Sequence, residues 1–526
     1  MDDVNDPTST DKSILLGFHK KQADERKLWL MNYNKNDIIT NDVKEITISE
    51  FVNKELKHFS FYDIERSIGS VCDGFKPSQR KILYGALKRK LFTSTSEIKV
   101  AQLAGYISDI AAYHHGEASL MGAIIAMAQN FVGSNNINLL YPSGNFGDRL
   151  LGGKNAASPR YIFTRLADVT PLIFLKDDEG IYNYVDDDGL SVEPEVYAPI
   201  IPMILVNGCV GIGTGFSTNI PCFNPLDIIE NIKNILENKP YKNMIPWYKG
   251  FKGPITKIDN NNYKSRGIIE LVNENEAVIE ELPVGVWTDI YKETLDELVA
   301  DDPKFPEEGK FLSGYKDSSG TDYVKITVYF IKNKLKELIK QDEQYKKLKL
   351  EKSISLNNMH LHDINGNIKK YDTVQDILND YVTFRMSMYD KRKAHQSEVL
   401  KNELEILNWK IKFIEYYQNK KIIIYNRTKD DVINDLVNLG FPKVASTPGG
   451  EKKYGYLTKL PIFSLTKEKL EELKKERDIK QEEYETYINT PIKTIWLREL
   501  STLEVAYKKS LGEKPKPVRK INNKKK

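Results

Sequence analysis

An arginine and a tyrosine stand side by side at Arg160 and Tyr161, near the end of a glycine-rich stretch, residues 144–166. Glycines let a backbone approach a ligand closely and adopt positive φ angles. The arginine guanidinium offers a rigid fork of donors that suits a phosphate, and a tyrosine hydroxyl can act as a nucleophile. The pair therefore suits an enzyme whose tyrosine attacks a phosphodiester. The dipeptide alone does not establish this chemistry, because the chain holds 29 tyrosines and most adjacent Arg-Tyr pairs are structural.

Three other motifs would indicate different chemistry, and each of them is incomplete. A phosphate-binding P-loop starting at Gly147 fails, because a glycine occupies the position of the required lysine. Residues 199–215 are similar to a strand entering a dinucleotide-binding loop, but residues 216–221 do not begin the helix that such a site needs. His114 and His115 invite a metal site, yet no cysteine or second histidine pair lies at ligand spacing. We therefore favour hydrogen bonds from these histidines to the backbone or to a DNA phosphate.

The composition indicates a large intracellular protein without an overall charge bias. A chain of 526 residues exceeds a single hydrophobic core and predicts several domains. Lys and Arg number 77 against 74 Asp and Glu, so any basic surface must be local. Three isolated cysteines without a CxxC pair fit a reducing compartment. No apolar run approaches about 18 residues and no signal-peptide pattern opens the chain, so we expect a soluble protein.

Local patterns predict the main elements. Residues 1–12 are polar and expected to be loose, residues 13–33 read as a surface helix, and Pro77 suits the first turn of a helix. Further helices are predicted near residues 99–113 and 118–131, and two longer ones at 374–414 and 465–487. Alternating apolar residues predict three strands, at residues 266–272, 276–282 and 323–331.

Six blocks of sequence, in this order, closely resemble the DNA breakage-reunion region of type IIA DNA topoisomerases of the eukaryotic and large-virus kind. The resemblance extends from about residue 15 to about residue 511. Blocks of this length in a fixed order are highly specific. They are DGFKPSQRKILYG (73–85), KVAQLAGYISDIAAYHHGEASL (99–120), AQNFVGSNN (128–136), AASPRYIFT (156–164), VEPEVYAPIIPMILVNG (192–208) and GIGTGFST (211–218).

The resemblance implies a multidomain α+β fold with five regions. Residues 1–45 would be an N-terminal segment that docks to a TOPRIM-bearing partner. Residues 46–174 would form a winged-helix DNA-binding domain with the catalytic tyrosine, and residues 175–372 an α/β tower domain. Residues 373–510 would form a long antiparallel coiled coil with a helical exit-gate head for dimerisation. Residues 511–526 would be a basic, disordered tail.

The resemblance also implies roles for individual residues. Tyr161 would be the nucleophile, and Arg160 would stabilise charge on the phosphate in the transition state. Ile212, flanked by glycines, would wedge between base pairs and bend the DNA; packing under a glycine turn is its alternative role. For the lysines among the DNA contacts, the alternative is a solvated surface. The implied DNA contacts are Arg80, Lys81, Lys99, His114, His115, Lys154, Lys349, Lys352, Ser353 and Asn357.

The activity implied is a transient double-strand break made through 5′-phosphotyrosine links, with passage of a second duplex. Mg²⁺ and ATP would be bound by TOPRIM and ATPase domains that this chain lacks, since no spaced acidic cluster or nucleotide loop is present. The expected partners are double-stranded DNA, a second copy of the chain and a TOPRIM/ATPase chain, without a membrane. We expect one polypeptide of a split enzyme, with an excised fragment as the alternative, acting in the nucleus or a viral host cell. A non-catalytic DNA-bending scaffold of the same fold is the rival function.

Overall fold

The protein mixes helices and strands in two compact units. The structure, a computed structural model, describes residues 7–40, 42–304, 307–445 and 451–512. The larger unit contains residues 1–176, 182–385 and 497–526, and the smaller unit contains residues 177–181 and 386–496. In the described ranges, none of the helices combines the length and apolar character needed to span a bilayer.

Four helices form the N-terminal part of the larger unit. They are α1 (Pro7–Phe18), α2 (Ala23–Met31), α3 (Ile48–Phe51) and α4 (Lys57–Ser67). The prediction of a loose stretch up to residue 12 is wrong from Pro7 onward. The single helix predicted at 13–33 is interrupted at His19, whose backbone is extended with φ −78° and ψ 126°. A short 3-10 turn, Lys20–Gln22, then leads into α2.

Three helices and a small sheet follow, and they carry the Arg160–Tyr161 pair. The helices are α5 (Pro77–Lys88), α6 (Val100–Ile110) and α7 (Glu117–Ala128). The strands β1 (Ile98–Lys99), β2 (Leu140–Ser143) and β3 (Phe163–Leu166) form an antiparallel sheet in the order β1-β3-β2. Pro77 occupies the first turn of α5, as predicted. Buried side chains such as Ile82, Leu103 and Ile124 hold the helices together.

Two hairpins come next in the larger unit. After α8 (Thr170–Ile173), β4 (Tyr184–Asp187) pairs with β5 (Leu190–Pro194). The short helix α9 (Met203–Asn207) leads into β6 (Cys209–Gly213), which pairs with β7 (Phe216–Ile220) before α10 (Pro225–Leu236) begins. Residues 216–221 therefore open no helix, in agreement with the rejection of a dinucleotide-binding loop.

The remaining sheets of the larger unit confirm the three predicted strands. A four-stranded sheet has the order β10-β11-β13-β12, a three-stranded sheet the order β14-β9-β8, and β15 pairs with β16. The strands are β8 (Ile255–Lys257), β9 (Asn262–Arg266), β10 (Ile268–Asn273), β11 (Glu276–Glu281), β12 (Leu312–Asp317), β13 (Ile326–Phe330), β14 (Glu351–Ser355), β15 (Met359–His362) and β16 (Ile368–Tyr371). Helices α11 (Thr288–Leu298), α12 (Lys334–Lys340) and α13 (Gln344–Lys347) accompany them.

The smaller unit consists mainly of two long helices and a compact head. Helix α14 (Val374–Gln418) enters it and α17 (Lys467–Asn489) returns. Ion pairs Glu403–Lys480 and Glu415–Lys474 join the two in reverse order, so the helices are antiparallel. The head contains α15 (Lys429–Asn438), β17 (Val444–Ala445), β18 (Lys452–Lys453) and α16 (Gly455–Thr458). Helix α18 (Ile492–Gly512) ends the described chain, and the rest of the predicted tail lies outside the described residues.

Candidate active site and nucleic-acid interface

Tyr161 projects from a loop whose backbone is held on both sides. Its side chain is 72% exposed, whereas the next residue, Ile162, is buried. The first N–H groups of α6, those of Val100 and Ala101, donate to the carbonyl oxygens of Ile162 (3.0 Å) and Pro159 (3.1 Å). The N–H groups of a first helical turn have no partner within the helix, so this loop satisfies two of them. The helix therefore fixes the backbone while the tyrosine hydroxyl faces solvent.

Arg160 lies beside the tyrosine. Its guanidinium carbon is 5.9 Å from the centre of the Tyr161 ring, and its side chain is exposed. Among the described residues it forms no ion pair. A free guanidinium next to an exposed phenol can bind a phosphate oxygen while the hydroxyl attacks the phosphorus.

The glycine-rich loop before the pair folds tightly on itself. A side chain on Gly147, at φ +84°, would overlap the backbone of Gly153. The Gln129 side-chain amide donates to the carbonyl oxygens of Phe146 (2.9 Å) and Gly153 (3.3 Å). This packing explains the glycines by close backbone contact within the protein. Lys154, at the end of the loop, remains exposed and available to a ligand.

Ile212 stands on a tight hairpin. It faces Ser217 across the β6–β7 pair, and its side chain is 83% exposed. A side chain on Gly211 would overlap the carbonyl oxygen of Ser67 at the end of α4, so the hairpin lies directly on that helix. The sequence predicted a loop here, and the structure shows two paired strands that hold an apolar side chain out into solvent.

Arg80 and Lys81 are engaged inside the protein. Arg80 donates from Nε to Asp73 (2.7 Å) and from Nη2 to the Phe75 carbonyl oxygen (3.1 Å). Burial opposes the charge of Arg80, but the neighbouring Asp73 carboxylate prevails and raises the arginine pKa. Lys81 donates to Glu193 (3.0 Å) and to the Ala111 carbonyl oxygen. The geometry of both cations favours a role in the fold over direct contact with DNA.

The predicted histidine contacts also have protein partners. Nε2 of His114 lies 3.2 Å from the Asp187 carboxylate. His115 meets the hydroxyl of Tyr62 in a short hydrogen bond. Burial and the nearby Arg66 lower the pKa of His115, which favours a neutral ring. The described part of the chain contains no group of three or more His, Cys, Asp or Glu side chains arranged for a metal.

The other predicted DNA contacts differ in their surroundings. The Lys99 ammonium lies 5.9 Å from the Phe163 ring centre, next to the strand that follows Tyr161. Lys349 forms an ion pair with Glu297 at 3.1 Å. Asn357 accepts a hydrogen bond from the Asn261 amide at 3.0 Å. Lys99 is thus the member of this set nearest in sequence to α6 and the tyrosine loop.

A cavity of about 430 Å³ brings Lys352 and Ser353 together with the Ile212 hairpin. Its lining includes residues of both hairpin strands and the side chains of Lys76 and Gln79 at the start of α5. The Lys76 ammonium donates to the Val210 carbonyl oxygen at 3.0 Å, and Lys352 donates to that of Gly285 at 3.2 Å. Sequence analysis did not single out Lys76 or Gln79, although both stand in the motif around Pro77.

Comparison with protein-family models defines the class of this protein. A model of a DNA gyrase/topoisomerase IV subunit matches residues 66–501, and one described as the C-terminal associated domain of TOPRIM matches residues 3–64. The chain therefore belongs to the type IIA DNA topoisomerase family. The resemblance inferred from the sequence is confirmed.

Individual relatives are DNA topoisomerases 2. That of Saccharomyces cerevisiae is 41% identical over 541 residues, covering 95% of this chain and 37% of the relative. That of Acanthamoeba polyphaga mimivirus is 38% identical over 555 residues, covering 95% and 44%. The chain thus spans about two fifths of the length of the curated relatives it matches.

A solved structure has the same fold. The crystal structure of the Plasmodium falciparum topoisomerase II DNA-binding, cleavage and re-ligation domain matches with a TM-score of 0.86 and 39% identity. The match covers 95% of this chain and 70% of that one. The overall mixed helix and strand architecture is therefore that of this domain.

Proposed function

We propose that this chain is the DNA cleavage and religation part of a type II DNA topoisomerase. The observation that carries the proposal is an exposed tyrosine beside an exposed arginine, on a loop whose backbone is fixed by a helix. A nucleophile must reach a bulky duplex, so exposure of Tyr161 suits a DNA substrate better than a small molecule held in a pocket.

In the proposed reaction, the Tyr161 hydroxyl oxygen attacks a DNA phosphorus. A new phosphorus–oxygen bond forms to the tyrosine, and the bond to the 3′-oxygen breaks. The phenol proton is released and the leaving 3′-oxygen takes up a proton. Arg160 stabilises the negative charge on the phosphate during transfer. One ester replaces another, so the reverse attack by the 3′-hydroxyl reseals the strand.

The proposed regions follow the arrangement of elements. We assign residues 46–174, with helices α5–α7 and the β1–β3 sheet, as a winged-helix domain. Residues 175–372 would form the tower, and residues 373–510 the coiled coil and exit gate. The antiparallel pair α14 and α17 supports the last assignment, because ion pairs and a buried apolar seam join the two helices. A second copy of the chain would close the gate.

Magnesium and ATP belong to other parts of the proposed enzyme. The acidic side chains of the described residues form no cluster suited to a metal, so the residues present do not fit Mg²⁺ and no step here uses it. A TOPRIM/ATPase polypeptide would supply both groups. The proposed place of action is a compartment that contains DNA, the nucleus or a viral host cell.

Covalent trapping tests the proposal. The chain is mixed with a TOPRIM-bearing polypeptide, Mg²⁺ and an end-labelled duplex, and the reaction is stopped with detergent. We expect protein linked to the 5′ side of the break, a free 3′-hydroxyl, and the adduct on the peptide that contains Tyr161. The variant Tyr161→Phe should bind and bend DNA like the parent but form no adduct. An adduct with this variant would move the nucleophile to another residue.

A non-catalytic DNA-bending scaffold remains the second candidate. The hairpin that presents Ile212 would serve such a scaffold equally well. Bending without any trapped adduct, in the presence of the TOPRIM-bearing polypeptide, would favour it.

A further inference from the structure

The turn of the Ile212 hairpin is fastened to α4 by a single carboxylate. Thr214 and Gly215 form the turn between β6 and β7. Both the backbone N–H and the hydroxyl of Thr214 donate to the same oxygen of Asp63, each at 2.9 Å. Hydrogen bonds to an ionised carboxylate are among the stronger ones in proteins. Asp63 therefore fixes the turn two residues away from Ile212.

The turn also packs closely against the N-terminal helices. A Cβ on Gly213 would lie 3.1 Å from the Cα of Ile64, and one on Gly215 would lie 3.2 Å from Cδ1 of Leu30. Leu30, Ile64 and Phe216 belong to one buried apolar cluster. Helices α2 and α4 thus form a surface on which the turn rests, with Asp63 as its charged anchor.

The second strand of the hairpin is held from the other side. The Asn219 N–H donates to the Asn358 carbonyl oxygen at 2.8 Å, and the His360 N–H donates to the Thr218 hydroxyl at 3.2 Å. The hairpin is therefore clamped along β7 and at its turn, while Ile212 itself remains exposed. An apolar side chain in water gains by folding back onto the protein, and such clamping prevents this.

We propose that Asp63 is a positioning residue that holds Ile212 outward, ready to enter a DNA base step. The inference rests on the proposed function, because it assumes that Ile212 bends DNA. A wedge on a loose hairpin would have to be ordered during unstacking, which would make the bent complex less favourable. A wedge fixed in advance avoids this loss.

The test compares two DNA substrates. Bending of an intact duplex and of one with a two-nucleotide gap at the kink is followed by fluorescence transfer with the full chain. For Asp63→Ala, the bent-to-straight ratio on intact duplex should fall about tenfold, the effect of losing a hydrogen bond to a charged group. On the gapped duplex, which kinks easily, the variant should match the parent. Glu65→Ala, which removes an exposed carboxylate from the same helix, is the matched control and should match the parent on both.

Variants at the partner position keep the test informative if Asp63→Ala does not fold. Thr214→Val removes only the hydroxyl and should lower bending of the intact duplex, and Thr214→Ser should restore it. Equal loss on both substrates would mean a general structural role and would overturn the inference. Parent-like bending by Asp63→Ala and Thr214→Val, when Ile212→Ala is defective, would overturn it as well. Parent-like bending by Ile212→Ala would instead remove the proposed wedge, and the inference with it.

Discussion

At the scale of single residues, the cations of this chain divide into exposed and internally paired ones. Arg160 and Lys154 face solvent, whereas Arg80 and Lys81 are engaged with Asp73 and Glu193. An exposed guanidinium can exchange water for phosphate without disturbing the fold. A buried one cannot leave its carboxylate without leaving a buried charge behind. The two groups should therefore respond differently to substitution.

Replacing Arg160 should impair chemistry rather than binding. We expect Arg160→Ala to slow DNA cleavage about 10²- to 10³-fold, as when one preorganised donor to a developing charge is removed. The affinity for duplex DNA should change little, because one exposed phosphate contact contributes modestly. Single-turnover cleavage with the TOPRIM-bearing polypeptide, alongside equilibrium binding, measures both effects. An unchanged cleavage rate would exclude the arginine from the reaction.

Replacing Arg80 should impair folding. Arg80→Ala leaves the buried Asp73 carboxylate without its cation, and breaking such a pair lowers the free energy of unfolding by about 3–5 kcal/mol. Urea unfolding measures the loss. Lys154→Ala is the matched control: its stability should stay within about 0.5 kcal/mol of the parent. Its DNA affinity should depend less steeply on salt, by about one unit of slope. A stable Arg80→Ala with weaker DNA binding would restore the predicted DNA contact.

The sequence identified the chemistry-bearing residues but not the state of their neighbours. Tyr161, Arg160 and Ile212 stand in long motifs with glycines around them, and their exposure fits the roles implied. The pairing of Lys81 with Glu193 joins residues 112 positions apart. Such a pair depends on tertiary packing, and local spacing carries no signal of it. The roles of Lys349 and the other predicted contacts stay predictions.

At the scale of elements, regular patterns were predicted well and interruptions were not. The three strands predicted by alternation are confirmed as β10, β11 and β13, with shifted ends. The break at His19 was missed, because neither glycine nor proline marks it. The β6–β7 hairpin was missed as well, since its turn, Thr214-Gly215, stands in a run of glycines that indicates a loop equally well.

The close contact between β6 and α4 gives a prediction about glycine. Gly211→Ala would place a methyl group against the Ser67 carbonyl oxygen, so the strand must move and Ile212 with it. We expect lower thermal stability and weaker DNA bending. Gly105→Ala is the control, because that position in α6 has open space around it and alanine favours a helix by about 1 kcal/mol. Parent-like bending by Gly211→Ala would show that the hairpin tolerates displacement.

The β15–β16 hairpin should make stability depend on pH. Burial lowers the pKa of His362, despite a hydrogen bond to the Gly366 carbonyl oxygen. An unfolded histidine has a pKa of about 6.5. Below that pH the unfolded chain binds a proton that the folded chain resists, so stability is complete above about pH 6.5 and declines as pH falls. Melting temperatures between about pH 7.5 and 5.5 should fall less for His362→Gln than for the parent. The exposed His19→Gln is the control and should follow the parent.

At the scale of the whole molecule, net charge gives no indication of DNA binding. With a net charge of +3, long-range attraction to DNA is weak, and binding must depend on local groups such as Arg160 and Lys154. Family membership, by contrast, was predictable from the sequence, because long ordered motifs extend over nearly the whole chain. The proposed domain boundaries stay predictions.

The N-terminal segment has the character of a docking surface. Residues 3–64 match the C-terminal associated domain of TOPRIM. Apolar side chains that monomeric proteins usually bury are exposed on this segment, and exposed apolar surface commonly marks a protein–protein contact. They include Phe18 (67% exposed), Leu28 (63%), Met31 (63%), Ile38 (60%) and Phe59 (65%).

The last prediction concerns this segment and its partner. We expect the chain alone, with Mg²⁺ and supercoiled DNA, to give no linear or covalently bound product, and a TOPRIM-bearing polypeptide to restore cleavage. The double variant Phe18→Lys/Leu28→Lys should bind that polypeptide at least about tenfold more weakly, because burying two unpaired ammonium groups opposes docking. Its cleavage should fall in parallel and recover at high partner concentration, while its own DNA binding is retained. Ile258→Lys, at a position 55% exposed elsewhere in the larger unit, is the control and should behave like the parent. Efficient metal-dependent cleavage by the lone chain would contradict the proposed division of labour, because the metal would then have to bind to this chain itself.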